Sequence, residues 1–113
     1  MSMTVVVTRN AEGRVRGFLA STMLEIAGGV YTSPNMNVAV RERVWAVLEK
    51  WGVGTRGDSA VMTWADARAP GGQAIRVLGE TPIELVTTSA TVLARRPLSE
   101  REHRSLTAEE PPF

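Results

Sequence analysis

Two stretches of the chain carry apolar residues at the three- and four-residue spacing of an amphipathic helix. The first runs from Arg14 to Ile26, and its apolar positions are Val15, Phe18, Leu19, Met23, Leu24 and Ile26. The second runs from Val38 to Trp51, and its apolar stripe consists of Val40, Val44, Trp45, Val47 and Leu48. We therefore predict two helices that each turn one face towards a core, with Trp45 and Trp64 as large core residues.

Glycine and asparagine mark the predicted ends of these helices. Gly28-Gly29 is expected to end the first helix, because glycine is favoured just beyond a helix C-terminus. Ser33-Pro34-Asn35 predicts a turn, and either Asn35 or Asn37 is expected to cap the second helix. The segment from Gly52 to Gly57 ends that helix.

Short runs rich in β-branched residues predict strands between and after the helices. These runs are Met3–Thr8, Val30–Thr32, Ser59–Ala65 and Gln73–Leu78, with one or two further short strands between Ile83 and Leu93. A hairpin loop is predicted at 66–72. The resulting order is β-α-β-α-β-β. It matches the ferredoxin-like βαββαβ plan only if the number of strands near Tyr31 is not taken strictly. We predict an α+β fold: a ferredoxin-like antiparallel sheet with two helices on one face.

The length of 113 residues is that of one domain. We place it at residues 1–97, and we expect residues 98–113, which are charged and rich in proline, to form a disordered tail. The absence of cysteine excludes disulfides and thiol chemistry. There is no apolar run long enough for a membrane span and no signal-peptide pattern, so a cytoplasmic location without membrane contact is expected.

Residues for catalysis or metal binding are sparse. His103 is the only histidine and has no cysteine or histidine partner at a metal-binding spacing. Four acidic residues, which are candidate Mg²⁺ ligands by residue type, are scattered along the sequence: Glu12, Glu25, Asp58 and Asp66. Because Mg²⁺ needs carboxylates that converge, we predict no catalytic residue and no metal ligand.

The basic residues are a more specific feature, although the net charge is only +1. All of them are arginine except Lys50. Arg9, Arg14 and Arg16 lie between the end of the first strand and the first turn of the next helix. Because a helix N-terminus and guanidinium groups both favour anions, these arginines are candidate phosphate contacts; ordinary scattered surface arginines are the alternative.

Several short sequence fragments resemble those of a known family and occur in the same order along the chain. They are Val5-Val6-Val7-Thr8, Asn10, Arg14, Arg16-Gly17, Leu24-Glu25, Gly29-Val30-Tyr31, Arg41-Glu42 with Trp45, Val61-Met62, Trp64-Ala65 and Thr81-Pro82. In these residues, over positions 1 to about 97, the chain resembles the CRISPR-associated Cas-two family, in its type I-E branch.

The resemblance implies a ferredoxin-like homodimer at the centre of the spacer-acquisition complex. That dimer would bridge two dimers of the integrase Cas-one and contact the backbone of the captured double-stranded DNA, the protospacer. Arg14 and Arg16 match arginines that line the DNA surface in this branch. A second basic pair of the branch is replaced here by Gly79-Glu80, so the resemblance does not extend to that contact.

The family is named for a metal-dependent nuclease activity that depends on an acidic residue at the end of the first strand. Arg9 occupies that position here. Because a guanidinium cannot bind Mg²⁺, we expect neither nuclease activity nor a cofactor. Mg²⁺ is the possible cofactor if the family's nuclease activity is retained. Without that activity, Arg9 would add to the DNA-binding residues. Two alternatives remain open: a metal-dependent endoribonuclease or deoxyribonuclease, and a ferredoxin-like regulatory or ligand-binding domain unrelated to CRISPR.

The late strands and the tail are the predicted sites of protein contact. Strands near Leu85 to Leu93 are candidates for pairing or exchange across the two-fold axis of the homodimer. Residues 95–113 are expected to become ordered on Cas-one.

Overall fold

A computed structural model describes residues 2–80 and two short strands that follow. The elements are β1 (Ser2–Arg9), α1 (Gly13–Thr22), β2 (Leu24–Ala27), β3 (Val30–Met36), α2 (Val38–Lys50), β4 (Ser59–Ala65), a 3₁₀ turn (Pro70–Gly72), β5 (Gln73–Leu78), β6 (Glu84–Thr87) and β7 (Val92–Arg95). The predicted Thr81-Pro82 turn, His103 and the tail at 98–113 lie outside the described residues. Neither described helix is long and apolar enough to cross a membrane.

The first five strands form one antiparallel sheet in the order β2-β3-β1-β4-β5. Through β4 the chain follows β-α-β-β-α-β, with β1 and β3 as the two inner strands of these four, which is the ferredoxin-like plan. β5 extends this sheet by a hairpin with β4. The predicted α+β class is therefore confirmed, and β6 and β7 form a separate two-stranded ladder.

The first helix is shorter than its apolar spacing predicts. α1 ends at Thr22, and Leu24 and Ile26, predicted for the helix, lie in β2 with exposed side chains. The hydroxyls of Ser21 and Thr22 donate hydrogen bonds to backbone carbonyls in the last turn of α1. Such side-chain contacts compete with the backbone hydrogen bonds that would continue the helix. Because β2 pairs with β3, the residues that follow α1 adopt the extended conformation of a strand. Gly28-Gly29 consequently forms a hairpin turn and does not end a helix, and the additional strand completes the ferredoxin-like order.

The predicted turn at Ser33-Pro34-Asn35 is also wrong, because these residues lie inside β3. Thr4 pairs with Ser33 and Ser2 with Met36, so β3 holds one residue more than β1 between these pairs. Proline lacks the N–H needed for a ladder bond and is tolerated at such a bulge. The helix cap is Asn37, whose side-chain oxygen accepts the N–H of Val40 at 2.9 Å.

The core lies between one face of the sheet and the two helices. Its fully buried side chains include Val6, Leu19, Tyr31, Leu48 and Met62. Trp45 and Trp64 are buried as predicted, whereas Val40, predicted for the apolar stripe, is 40% exposed. Both helices pack on this face because their stripes offer one large apolar surface to the inward residues of the strands.

The other face of the sheet, here called the open face, bears neither helix and carries a row of valines among other apolar and polar side chains. Ladder partners place four valines in one row across four strands: Val30, Val7, Val61 and Val77. Val7 and Val77 are 39% and 40% exposed. An exposed row of β-branched side chains over several strands is a typical contact surface.

Candidate functional site

The candidate phosphate-binding residues lie at one end of the molecule, here called the basic end. β1 finishes there at Arg9, α1 starts there at Gly13, and the loop after α2 returns to the same place. Two contacts join these segments: Asn10 donates to the carbonyl of Gly57 at 3.3 Å, and Arg56 forms an ion pair with Glu12. The topology therefore brings the segment around residue 56 next to the start of α1.

Arg14 is held over an aromatic ring at this end. Its guanidinium lies 4.6 Å from the ring centroid of Trp51, the residue that caps α2. Trp51 in turn contacts Phe18 edge-on, with centroids 5.5 Å apart, and both rings pack against the core. Half of the Arg14 side chain remains exposed. The stacking therefore orients a guanidinium whose donors stay accessible to an anion.

Arg56 is a candidate residue that the sequence did not reveal. Its Nη1 lies 2.5 Å from Oε1 of Glu12, and its Nη2 donates to the carbonyl of Trp51 at 2.8 Å. Oε2 of the same glutamate lies 3.7 Å from Nε of Arg14. One carboxylate thus bridges two arginines that are far apart in sequence. Only the fold joins them, and no local sequence signal distinguishes Arg56 from other surface arginines.

The loop that presents Arg56 is organised by Asp58. The carboxylate of this buried residue accepts the N–H groups of Gly54, at 2.8 Å, and of Arg56, at 3.3 Å. Burial acts to raise the pKa of Asp58, but these backbone donors, with the charge of Arg56, outweigh it and hold the pKa below its usual value. Asp58 is therefore engaged in shaping the loop.

This carboxylate makes folding stability depend on pH. A carboxyl group whose pKa is lower in the folded state stabilises the protein above its unfolded-state pKa, and the contribution is lost as the pH falls through the folded-state pKa. We expect the free energy of unfolding to decrease as the pH falls from about 5 to about 2, and to decrease less in Asp58→Asn. Urea unfolding of the wild type and of Asp58→Asn across this pH range measures how strongly the free energy of unfolding depends on pH in each protein. An equal dependence in the two proteins would contradict the lowered pKa of Asp58.

Arg16 occupies a different environment on the same helix. It is exposed and lies near the hydroxyl of Tyr31 and the carboxylate of Glu25. Burial raises the pKa of Tyr31 and Glu25 raises it further, while the positive charge of Arg16 acts against both. Glu25 also accepts the N–H of Gly29 at 3.2 Å, which places it in the turn between β2 and β3. Arg16 therefore lies on the side of α1 that faces β2 and β3, apart from Arg14, which lies over Trp51.

Arg9 lies at the basic end but on the opposite side of the sheet. It pairs with Ser59 at the last position of β1, and alternation along the strand places it on the same face as Val7. The structure thus separates the three predicted arginines: Arg14 and Arg16 belong to the helix side, and Arg9 to the rim of the open face.

The four scattered acidic residues do not converge. Glu12, Glu25 and Asp58 have the separate contacts given above, and Asp66 accepts the N–H of Arg68 at 2.9 Å in the loop between β4 and β5. Within the described part of the chain, no three acidic or histidine residues lie close enough together to hold a metal ion.

Two further arginines pack around a buried tryptophan on the helix side. The guanidiniums of Arg41 and Arg76 lie 4.1 and 5.3 Å from the ring centroid of Trp64. Arg76 also donates to Glu42 at 2.7 Å, and this bond holds the pKa of Glu42 below its usual value. These contacts tie α2 to β5, so this second cluster has an evident structural role.

Comparison with known protein families adds one finding. A family model described as CRISPR-associated protein (Cas_Cas2CT1978) matches residues 3–93. The match includes both helices, nearly the whole five-stranded sheet and all the residues of the basic end.

Proposed function

The chain belongs to this CRISPR-associated Cas-two family and so has a role in CRISPR defence, and from that premise we propose that it is a DNA-contacting scaffold of spacer acquisition. In this proposal it is a member of the type I-E branch. A homodimer of the chain contacts the backbone of a protospacer duplex and bridges Cas-one integrase dimers, which carry out strand transfer. The nuclease alternative would need a carboxylate at the position that Arg9 occupies.

The observation that carries DNA contact is the arrangement of arginines at the basic end. Arg14 is oriented by Trp51 yet remains exposed, Arg56 contacts the same tryptophan, and Arg16 is exposed on another side of the same helix. Guanidiniums suit phosphate oxygens, and contacts to the backbone do not depend on base sequence. These features support a surface that binds duplex DNA without reading its sequence.

The open face supports self-association. The valine row from Val30 to Val77 is uncharged and crosses four neighbouring strands, and such a face can pack against a second sheet face to face. A two-fold axis through this row would place the same residues opposite each other, which is the arrangement of an isologous dimer. We propose a second copy of this chain as its occupant. The resulting dimer would carry two basic ends, and Arg9 would lie at the rim of the interface.

The β6–β7 ladder is the proposed contact to Cas-one. A ladder of only two strands is marginally stable alone, and a strand supplied by a partner would extend it. The predicted exchange of these strands within the homodimer remains the alternative use of the same edges.

The DNA proposal is tested by replacing Arg14 and Arg16 together with alanine. The double variant loses two positive charges per protomer and four per dimer. If all four contact phosphate, the slope of log affinity against log salt should fall by about 3–4 units, with equal losses on duplexes of different sequence. Fluorescence anisotropy over a salt series measures the slope.

The matched control is Arg43→Ala with Arg68→Ala, which removes the same charge away from the basic end. Arg43 lies on α2, and Arg68 lies in the loop between β4 and β5. This control should leave the slope nearly unchanged. An unchanged slope in the Arg14 and Arg16 variant, or a loss confined to one DNA sequence, would refute backbone contact at these residues.

A further inference from the structure

Glu12 holds two arginines of the basic end together. Its carboxylate contacts Nη1 of Arg56 at 2.5 Å and lies 3.7 Å from Nε of Arg14. Glu12 immediately precedes α1, and its side chain accepts no N–H group of the first turn. The carboxylate is therefore engaged with the two guanidiniums and not with the helix.

Each of these arginines also makes a contact that does not involve Glu12. Arg14 stacks on the ring of Trp51, and Arg56 donates to the carbonyl of the same tryptophan. Because Trp51 is packed edge-on against Phe18, this platform is anchored to the core. The two guanidiniums therefore keep their places when the carboxylate moves away.

A phosphate group can occupy the place of the carboxylate. Both groups present negatively charged oxygens to the donors of a guanidinium, and both form charge-assisted bonds with arginine. The side chain of Glu12 is 40% exposed and those of both arginines are 55% exposed, so solvent reaches the site and the glutamate has room to rotate outwards.

Building on the proposed function, we infer that Glu12 is a displaceable counter-ion and that a phosphate of the bound duplex replaces it between Arg14 and Arg56. Arg56 is then a further phosphate ligand. The carboxylate competes with every incoming anion, so the site favours a polyanion that reaches several arginines at once over an isolated phosphate. Glu12 consequently lowers the affinity for DNA and reduces the effective charge of the basic end by one per protomer.

The test compares Glu12→Gln with Glu49→Gln in binding to a short labelled duplex over a salt series. Both variants raise the net charge equally and conserve side-chain size, but Glu49 lies on the solvated side of α2, away from the arginine pair. Glu12→Gln should raise affinity at low salt by roughly twofold to fivefold per copy of the site. Its salt slope should steepen by about one unit per copy, and Arg56→Ala should make the slope shallower by about one unit per copy.

The outcomes separate this inference from the function on which it rests. If the wild type binds duplex with a clear salt dependence and Glu12→Gln behaves like Glu49→Gln, the counter-ion inference is wrong while DNA contact stands. The inference is equally wrong if Arg56→Ala leaves the slope unchanged. If neither the wild type nor Glu12→Gln binds duplex at low salt, both the inference and the proposed DNA contact are wrong.

Discussion

Replacing Val7 and Val77 together with glutamine should convert the proposed homodimer into a monomer. Each copy would bring two amides into the interface, and burying an amide without a hydrogen-bond partner costs about 1–3 kcal/mol. Four such groups per dimer sum to roughly 4–12 kcal/mol, enough to weaken association by a factor of about a thousand or more. Both valines are about two-fifths exposed in the protomer, so the protomer fold should tolerate the change.

Light scattering after gel filtration at micromolar concentration measures this result. The matched control is Val38→Gln with Val40→Gln, since these valines lie on α2 and are at least as exposed as those of the open face. The control and the wild type should both be dimers. A wild-type monomer would remove the self-association proposal, and a Val7 and Val77 variant that stays dimeric would exclude the open face as its interface.

Loss of the dimer should also change DNA binding in a defined way. A monomer presents one basic end where a dimer presents two. The salt slope of the Val7 and Val77 variant should therefore be about half that of the wild type, because the number of phosphate contacts is halved. Because valine and glutamine are both uncharged, this decrease in the salt slope would result from the loss of the dimer and not from a change in net charge.

The second large effect is expected from Gly54→Ala, which should destabilise the protein by roughly 3–5 kcal/mol. Gly54 has a φ of +94°, and a Cβ atom there would lie 2.5 Å from the backbone nitrogen of Gly79. The neighbouring atoms belong to the backbone and cannot turn aside as a flexible side chain would. The substitution thus combines an unfavourable backbone conformation with a collision between two segments of main chain.

Gly57→Ala is the matched control in the same loop. Gly57 also has a positive φ, of +80°, but a Cβ there would meet no atom within 4 Å. The substitution should destabilise the protein by only about 1–2 kcal/mol, which is the cost of the left-handed conformation alone. Urea unfolding of both variants gives the difference. Equal costs would show that the approach of Gly54 to Gly79 does not constrain the fold.

The contact between Gly54 and Gly79 also bears on the position at which the resemblance places a second basic pair. Gly79-Glu80 stands there in this chain. Gly79 has a φ of +85°, and a Cβ on it would lie 2.6 Å from the carbonyl oxygen of Asp58. An arginine at position 79 would therefore collide with the loop that presents Arg56.

Local patterns determined a large part of the fold. Strands β4 and β5 were predicted with their observed bounds, and α2 to within one residue, because turn or glycine-rich segments bound these elements along the chain. The end of α1 was not predictable in this way. Leu24 and Ile26 continue a helical spacing, and only their pairing with β3 makes them a strand.

For the candidate site, local sequence was sufficient to place Arg14 and Arg16 at the start of α1, because they are close neighbours along the chain. The position of Arg9 on the other side of the sheet, the support of Arg14 by Trp51 and the link from Arg14 to Arg56 through Glu12 all depend on the fold. The two kinds of information differ in the sequence distance over which they act. Helix and strand periodicity act over a few residues, whereas a guanidinium recognises whichever ring or carboxylate the fold places within about 4–6 Å, however distant it is in sequence.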